Sequence, residues 1–411
     1  MRIAIFSDCY LDLTGGIVQV IDAQKAELEK LGHTVCVFST GYPRNKEQLA
    51  KLAQKHIFMV PSCRWWLRGV TPLSRRPRVI EKWLEKAHPE LKEFDIFYIH
   101  YEAGCSIAGM RLARQLGIPV VQMMQGREDM GIATVIAPGF RTMVAGLLKW
   151  LHGVFVPHSV QVQRDDYLAQ TQAAVWMWEL MVNHANTADA IVTPSQHFKK
   201  KLEYYGVSKP IYVVPNGYPD EKYEPKVPVK QLKDGDTLQM IWHSRVQAEK
   251  RIMPFLKALT EVRGKWHMDV YGGGADLARA RLFAIQHRLP VKFHGNTSFA
   301  VVQRAILKSH LDVMASYNYD TFGMTLIEAE ACGVPVFICD PDMREIVPEG
   351  GYVLSAGPAA AMMAEALNDL LAHPGRIERM SEAMVAHRPE VLASRRIKGL
   401  VKVFQKYAKN S

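Results

Sequence analysis

The sequence predicts an α/β protein made of two Rossmann-like, doubly wound domains facing across a cleft. Three observations carry this. Strand-like apolar runs alternate with helical segments, the alternation breaks at a polar stretch and then restarts, and 411 residues are long for one core. Such alternation argues for parallel sheets. Ligands of open parallel sheets bind at the carboxyl ends of the strands, which here face the expected cleft.

The first half opens with "RIAIF", "TGG", "IVQVIDAQKAELEKLG" and "HTVCVFST", which read as strand, glycine turn, helix and strand, with Gly32 as the helix stop. "DIFYIHY", "PVVQMMQ" and "DAIVTPS" add further strands, so residues 1–215 form the expected first domain. The texture then changes to "KYEPKVPVKQLKDGDT", and 216–237 is expected to be a linker. From "LQMIWHS" the pattern restarts through "HMDVYGGG", "VKFHG", "LDVMAS" and "VPVFICD", giving a second domain over 238–390. The closing segment, 391–411, sets Ile397, Leu400, Val401 and Phe404 on one helical face and is expected to pack back toward the first domain. Neither half has a GxGxxG after its first strand, so the dinucleotide fingerprint is missing.

Composition narrows the function classes. A hydrophobic share of 48% excludes a mainly disordered chain. The six cysteines (Cys9, Cys36, Cys63, Cys105, Cys332 and Cys339) form no CxxC and read as reduced core thiols, neither a disulfide frame nor a zinc site. The opening strand is too short for a signal peptide. No window of about 18 residues escapes charge, which argues against a transmembrane helix. A net charge of +10 points to an anionic partner, whether phosphate, nucleic acid or membrane, but no nucleic-acid motif appears. The histidines are dispersed and suggest no metal site.

The stretch "YDTFGMTLIEAEACGVPV" holds Asp320 and Glu328, eight residues apart. On one helix they would stand roughly 12 Å apart, beyond the spacing of about 5 to 9.5 Å that paired glycosidase carboxylates need. Asp320 is instead expected in the loop after "LDVMAS", with a helix starting near Gly323. A helix start offers free backbone N–H groups, and Gly323 lets backbone approach a ligand closely. Spacing alone leaves two readings open, a ligand clamp or two helix caps. "HSRVQAEKRI" sets Arg245 and Lys250 at the end of a strand, where they could bind a diphosphate. "YGGGADL" places Gly272 to Gly274 at another strand end, as a phosphate loop or an ordinary tight turn.

"RVQAEKRI", "YGGGADL", "DTFGMTLIEAEACGVPV" and "EGGYVL" resemble the donor half of retaining family 4 glycosyltransferases of the GT-B fold. "FSDCYLDLTGGIVQVIDAQKAELEKLGHTVCVFST" and "TPSQHFKKKLEYYGVSKPIYVVPNGYP" resemble that family's first half and domain junction, so the likeness covers nearly the whole chain. It implies that Arg245 and Lys250 bind the diphosphate of a nucleotide sugar, with UDP favoured, and that Glu328 holds the ribose. It implies that Asp320 and the Phe322, Gly323 and Met324 backbone hold the transferred sugar. Gly15, Gly16 and Gly273 would admit the diphosphate. Asp320 departs from the family's usual Glu and is one methylene shorter. Gln125 stands where relatives often carry a His that contacts the sugar. Gln cannot relay a proton, so it either positions the sugar or leaves proton handling to Glu128, Asp129 or His100. The implied reaction retains configuration, uses no metal, and lets the leaving diphosphate help deprotonate the acceptor.

"CRWWLRGVTPLSRRPRVIEKWLEK" carries seven basic and two acidic residues and three of the eight tryptophans. Trp favours the lipid headgroup region, and clustered Arg near an anionic leaflet contributes about 1 kcal/mol each. Arg64, Trp65, Trp66, Arg68, Arg75, Arg76 and Arg78 are therefore candidate membrane residues, with Trp150 of "TMVAGLLKWLHGVF" as a second point of contact. The alternative is that the tryptophans pack in the core. This basic aromatic segment resembles family members that glycosylate membrane lipids, and through "MVNHANTADAIVTPSQHFKKKL" the chain most resembles bacterial 1,2-diacylglycerol 3-glucosyltransferases. The resemblance implies a cytoplasmic enzyme, peripheral on the inner face of the cell membrane, that moves glucose or a close analogue to a lipid hydroxyl. Competing readings are a glycosyltransferase with a soluble acceptor, a nucleotide-sugar epimerase, and a non-catalytic basic membrane- or nucleic-acid-binding protein.

Overall fold

The computed structural model describes residues 1–11, 15–42, 44–63 and 75–409. The chain divides into two compact units, 1–215 with 396–411, and 216–395.

In the first unit, seven strands form one parallel sheet: β1 (Arg2–Ser7), β2 (Thr34–Ser39), β3 (Ile57–Met59), β4 (Ile96–His100), β5 (Val120–Met123), β6 (Ala190–Thr193) and β7 (Ile211–Val213). Their order is β3-β2-β1-β4-β5-β6-β7, so the winding reverses between β1 and β4. The strands are apolar runs buried on both faces, which is what a parallel sheet covered by helices requires. Phe6 lies between Phe38 and Phe97, with ring centroids 5.1 and 4.9 Å away. The helix Gly104–Leu116 rests directly on this group, because Gly109 lacks the Cβ that would fall 2.6 Å from the Phe6 ring.

The second unit repeats the plan with β8 (Leu238–His243), β9 (Trp266–Tyr271), β10 (Val291–Gly295), β11 (Leu311–Met314), β12 (Val336–Ile338) and β13 (Tyr352–Leu354). The order is β10-β9-β8-β11-β12-β13, and the reversal lies between β8 and β11. Trp242, Phe255 and Phe337 are among the largest side chains of its core.

The stretch expected as a linker is largely irregular in backbone but is no loose tether, and 216–237 belongs to the second unit. Lys230 is buried, its backbone N–H donates to Ser381 Oγ at 2.8 Å, and its ammonium reaches the Leu307 carbonyl at 2.5 Å. Arg388 donates to the carbonyls of Glu224 and Pro225. Pro and Lys there serve packing and carbonyl capping. The closing helix, Ala393–Tyr407, buries Ile397, Leu400, Val403 and Phe404, while Lys398 and Lys402 are exposed. Phe404 meets Tyr98 edge-on at 5.0 Å, and Tyr407 lies 3.2 Å from Tyr212, hydroxyl to hydroxyl.

Gly109→Ala tests the helix-on-ring contact. Helix propensity favours Ala by about 1 kcal/mol, whereas overpacking a core costs about 1 to 3 kcal/mol. With no room beside Phe6, packing should win and the variant should unfold at lower denaturant. A more stable variant would show that the contact is soft.

Candidate functional site

The sequence-predicted residues lie at or near the strand ends beside the two reversals of strand order. In the second unit, β8 ends at His243 and runs into Ser244 and Arg245, while β11 leads into the loop that carries Asp320. Lys250 and Asp320 form an ion pair at 2.6 Å, with side chains 16% and 13% exposed. Ser316 Oγ donates to the other Asp320 oxygen at 2.5 Å. Arg245 donates to the Tyr319 hydroxyl at 2.9 Å and pairs with Glu249 at 3.2 Å. Lys250 also lies over the Tyr319 ring, 5.0 Å from its centroid. Tyr319 thus links the two cations, a role its sequence position did not announce.

The helix Met324–Ala331 starts where the sequence placed it. Gly323 caps it with φ 72°, a left-handed conformation, and an added Cβ would fall 2.8 Å from Met314. The Phe322 side chain is buried in the core, and Met324 is half-buried. Glu328, one turn along, is 8% exposed and lies 3.2 Å from His243 Nδ1. The other ring nitrogen of His243 meets Asp312 Oδ2 at 2.5 Å. Burial alone would depress this imidazole. The Asp312 and Glu328 carboxylates outweigh it together and hold its pKa at about 10. His243 is therefore an imidazolium clamped between two acids, and it fixes the direction of Glu328.

Gly272 and Gly274 have φ 128° and 155°, and a Cβ on either would strike the carbonyl of Ser244 or Val246 at 2.2 and 2.3 Å. The Gly273 carbonyl accepts from the Val246 N–H at 2.9 Å, and its own Cβ would meet Asn296 at 3.0 Å. These glycines lock the β9 loop against the loop that carries Arg245, which explains them without a phosphate.

The first unit gathers His100, Gln125, Glu128 and Asp129 at the ends of β4 and β5. His100 is 1% exposed, and burial lowers its pKa to about 3, so it stays neutral. Gln125 Nε2 approaches its Nδ1 at 3.4 Å. Asp129 gives both oxygens to Arg127, at 2.9 and 2.6 Å, and Arg127 lies over Trp178. That commits Asp129 to anchoring. Glu128 opens the helix Glu128–Val135 and accepts from the Tyr101 hydroxyl at 2.9 Å. A helix start ordinarily favours an anion. Here burial outweighs it, the nearby Asp129 and Asp8 add to the shift, and the Glu128 pKa rises to about 7. A carboxyl with a pKa near neutrality can exchange a proton at neutral pH. Gly15 precedes the helix Gly16–Lys30 with φ 148°, and among the described residues nothing lies within 4 Å of the place of its missing Cβ.

Arg64, Trp65, Trp66 and Arg68 lie outside the described residues. Arg75, Arg76 and Arg78 are exposed at the start of the helix Pro77–Ala87. Trp150 is 65% exposed on the helix Arg141–Gly153, beside the exposed Met143, Leu147, Leu148 and Leu151. Among the described residues no helix is long and apolar enough to cross a membrane, and no group of three or more His, Cys, Asp or Glu could hold a metal ion.

Solved structures share this architecture. Sucrose-phosphate synthase from Thermosynechococcus elongatus aligns over 98% of both chains with a TM-score of 0.69 at 15% identity. Anabaena HepE in complex with UDP aligns over 99% of this chain and 100% of its own, at 0.66 and 14%. The fold is that of the GT-B glycosyltransferases. The family model described as Glycosyltransferase Family 4 matches residues 14–222, and the one described as Glycosyl transferases group 1 matches 224–386. The chain belongs to glycosyltransferase family 4 and is a glycosyltransferase enzyme. Among curated proteins it is similar to alpha-monoglucosyldiacylglycerol synthase of Streptococcus pneumoniae, 24% identical over 82% of this chain and 70% of that protein. It is also similar to lipopolysaccharide 1,6-galactosyltransferase of Escherichia coli, 25% identical over 40% of this chain and 49% of that one.

His243→Asn leaves Asp312 and Glu328 buried without their cation, and breaking a buried pair costs about 3 to 5 kcal/mol. A histidine whose folded pKa is raised stabilises fully below its unfolded value and loses that contribution as pH climbs toward about 10. The stability gap between wild type and variant should therefore be wide near pH 6.5 and close toward pH 10. Denaturant unfolding across that range reads it, and a gap independent of pH would rule out the imidazolium.

Proposed function

We propose that this enzyme transfers a hexosyl group, glucose favoured, from UDP-sugar to a membrane lipid hydroxyl such as that of diacylglycerol, with retention of configuration. The observation that carries the lipid acceptor is the exposed apolar face of the helix Arg141–Gly153, joined to the monoglucosyldiacylglycerol synthase relative. Large apolar side chains on a water-facing helix are a liability unless something covers them.

The helix Pro77–Ala87, which carries the described end of the basic candidate segment, is linked to the neighbourhood of that face through Arg111. Arg111 donates to Glu81 in the helix Pro77–Ala87 at 2.5 Å, and its guanidinium lies 6.0 Å from the centre of the Phe155 ring, just past the apolar helix. Glu81 is one turn from Arg78. Apolar insertion and attraction of Arg75, Arg76 and Arg78 to anionic headgroups would then act on one patch, with the enzyme peripheral on the cytoplasmic face of the membrane.

On the donor side, Arg245 and Lys250 would balance the diphosphate charge as it leaves, so the reading assigns no step to a metal. Glu328, aimed by His243, would hold the ribose hydroxyls, and Asp320 the sugar. A sugar acceptor is the second reading, favoured by the lipopolysaccharide galactosyltransferase relative.

Flotation with phosphatidylglycerol vesicles, paired with UDP-glucose transfer to dioleoylglycerol, tests this. Burying a large apolar side chain contributes about 1.5 to 3 kcal/mol, so Met143→Ala/Trp150→Ala should weaken vesicle binding at least roughly tenfold, leaving UDP affinity unchanged. Undiminished binding by the variant, or transfer to soluble glycosides in preference to lipid, would count against the lipid acceptor.

A further inference from the structure

The exposed apolar helix Arg141–Gly153 has an inner side of another kind. It lies on the helix Gln172–Ala185, where Ala145 joins a small apolar cluster with Ala173, Met177 and Leu180. Gly146 makes room for Trp176, because a Cβ there would fall 2.9 Å from the indole. Beyond that turn the seam is polar. Lys149 pairs with Glu179, and His152 is the other buried residue of the exposed helix.

His152 is the middle of a chain of three imidazoles. Its Nδ1 lies 2.7 Å from Nε2 of His158, in the segment after the helix, and its Nε2 lies 2.9 Å from Nδ1 of His184 on the neighbouring helix. His184 is fully buried, and its Nε2 has no hydrogen-bond partner among the described residues. A neutral imidazole carries one N–H and one bare nitrogen. Three neutral rings therefore supply two N–H groups for the two links and leave a third at one end of the chain. One added proton fills the other end without breaking a link. A second sets N–H against N–H and breaks one. Burial opposes even the first, holding His152 down at about 2 and His184 at about 3, and lowering His158 as well.

We propose that these histidines are a proton-sensitive clasp on the lipid-facing helix, which holds it on the helix Gln172–Ala185 when neutral and frees it toward an anionic leaflet in acid. The inference rests on the lipid reading above and names how attachment is regulated. Once apart, the rings titrate near the ordinary histidine value of about 6.5. The seated chain accepts at most one proton, and the open one three. Above about pH 6.5 the seated form is favoured in full, and below about pH 6 each further unit favours the open form by at least roughly a hundredfold.

The other charges facing the chain are Lys149 and Glu179, which pair with each other, and Glu179 also accepts from the Val162 N–H at 3.1 Å. On the helix Glu128–Val135, Glu128 and Asp129 bond to Tyr101 and Arg127, and Arg141 donates to the Ala133 and Ile136 carbonyls. The Lys149–Glu179 pair resists opening, so the freed form is a minority in solution that acid and leaflet enlarge. Released imidazolium groups join Arg141 and Lys149 beside Met143, Leu147 and Trp150. Each cation near an anionic leaflet tightens binding roughly fivefold. The leaflet's potential of about −30 to −50 mV also concentrates protons roughly three- to sevenfold.

Flotation of the full chain with phosphatidylglycerol and with phosphatidylcholine vesicles, between about pH 5.5 and about pH 7.5, tests the clasp. Wild type should bind the anionic vesicles at least roughly tenfold more tightly at the acid end, with no such gain on the zwitterionic ones. Glutamine donates and accepts at once but cannot ionise, so His152→Gln/His158→Gln should keep neutral-pH binding and lose most of the acid gain. Deuterium exchange of wild type without vesicles, corrected for the intrinsic pH dependence of exchange, gives a second reading. Protection across Arg141–Gly153 should fall at least roughly tenfold between those pH values, while that of the helix Gly16–Lys30 stays. An acid gain undiminished in the double variant, or protection of Arg141–Gly153 that does not change with pH, overturns the clasp. If neither vesicle is bound at any pH, the lipid reading fails, and the exchange result still decides the clasp.

Discussion

Both candidate sites depend on one constraint, the reversal of winding in a parallel sheet. At β1 and β4, and again at β8 and β11, the following segments leave in opposite directions. Open parallel sheets bind their ligands at the strand ends beside such a reversal, and polar groups collect there. Asp8, Tyr101 and Glu102 lie at the first reversal, and His243, Arg245 and the loop to Asp320 at the second. The flanking sheets, buried on both faces, give each loop a rigid base.

The two reversals carry opposite charge logic. At the second, two buried acids are bridged by an imidazolium, and two more cations are held around Tyr319. That arrangement fixes the directions of the Glu328 and Asp320 carboxylates. At the first, Asp8, Glu102 and Glu128 follow β1, β4 and β5, and the buried His100 among them is neutral. The contrast follows from which side chains occupy equivalent strand ends, because the backbone plan is the same in both.

The fold was legible in the sequence because apolar runs, glycine stops and the polar break each report local structure. The helix start at Met324 was legible for the same reason, since Gly323 marks the only turn that permits it. What stayed hidden depends on distance in space. Nothing near His243 in sequence announces Asp312 or Glu328 as its partners. Glu102 sits in an ordinary "YEAGCS", and the Gln122 amide that donates to it comes from the adjacent strand. Asp129 reads in the sequence as a proton-handling candidate, and only the structure shows that Arg127, two residues earlier, takes both of its oxygens. Gly272 and Gly274 read equally as a phosphate loop or a tight turn, and the nearby carbonyls of another loop, which a Cβ would strike, are visible only in space. The polar stretch read as a linker misled because proline and lysine also suit an irregular segment packed on a domain.

The shorter acid at position 320 acquires a physical setting. Lys250 and Ser316 hold its two oxygens, so its place is set from the end of β11 and from the loop after β8 together. A longer Glu at this position could reach past both partners. An Asp gains their hydrogen bonds by staying back, and Lys250 still has further N–H donors to offer a phosphate. In the proposed reading, one ammonium then joins the sugar-side carboxylate to the diphosphate, so charge building on the leaving group is felt at Asp320. The sugar must come to the carboxylate instead of the carboxylate to the sugar. Selectivity for the sugar would then arise from depth of entry, with one methylene of reach deciding which hydroxyl arrives within a hydrogen-bond length.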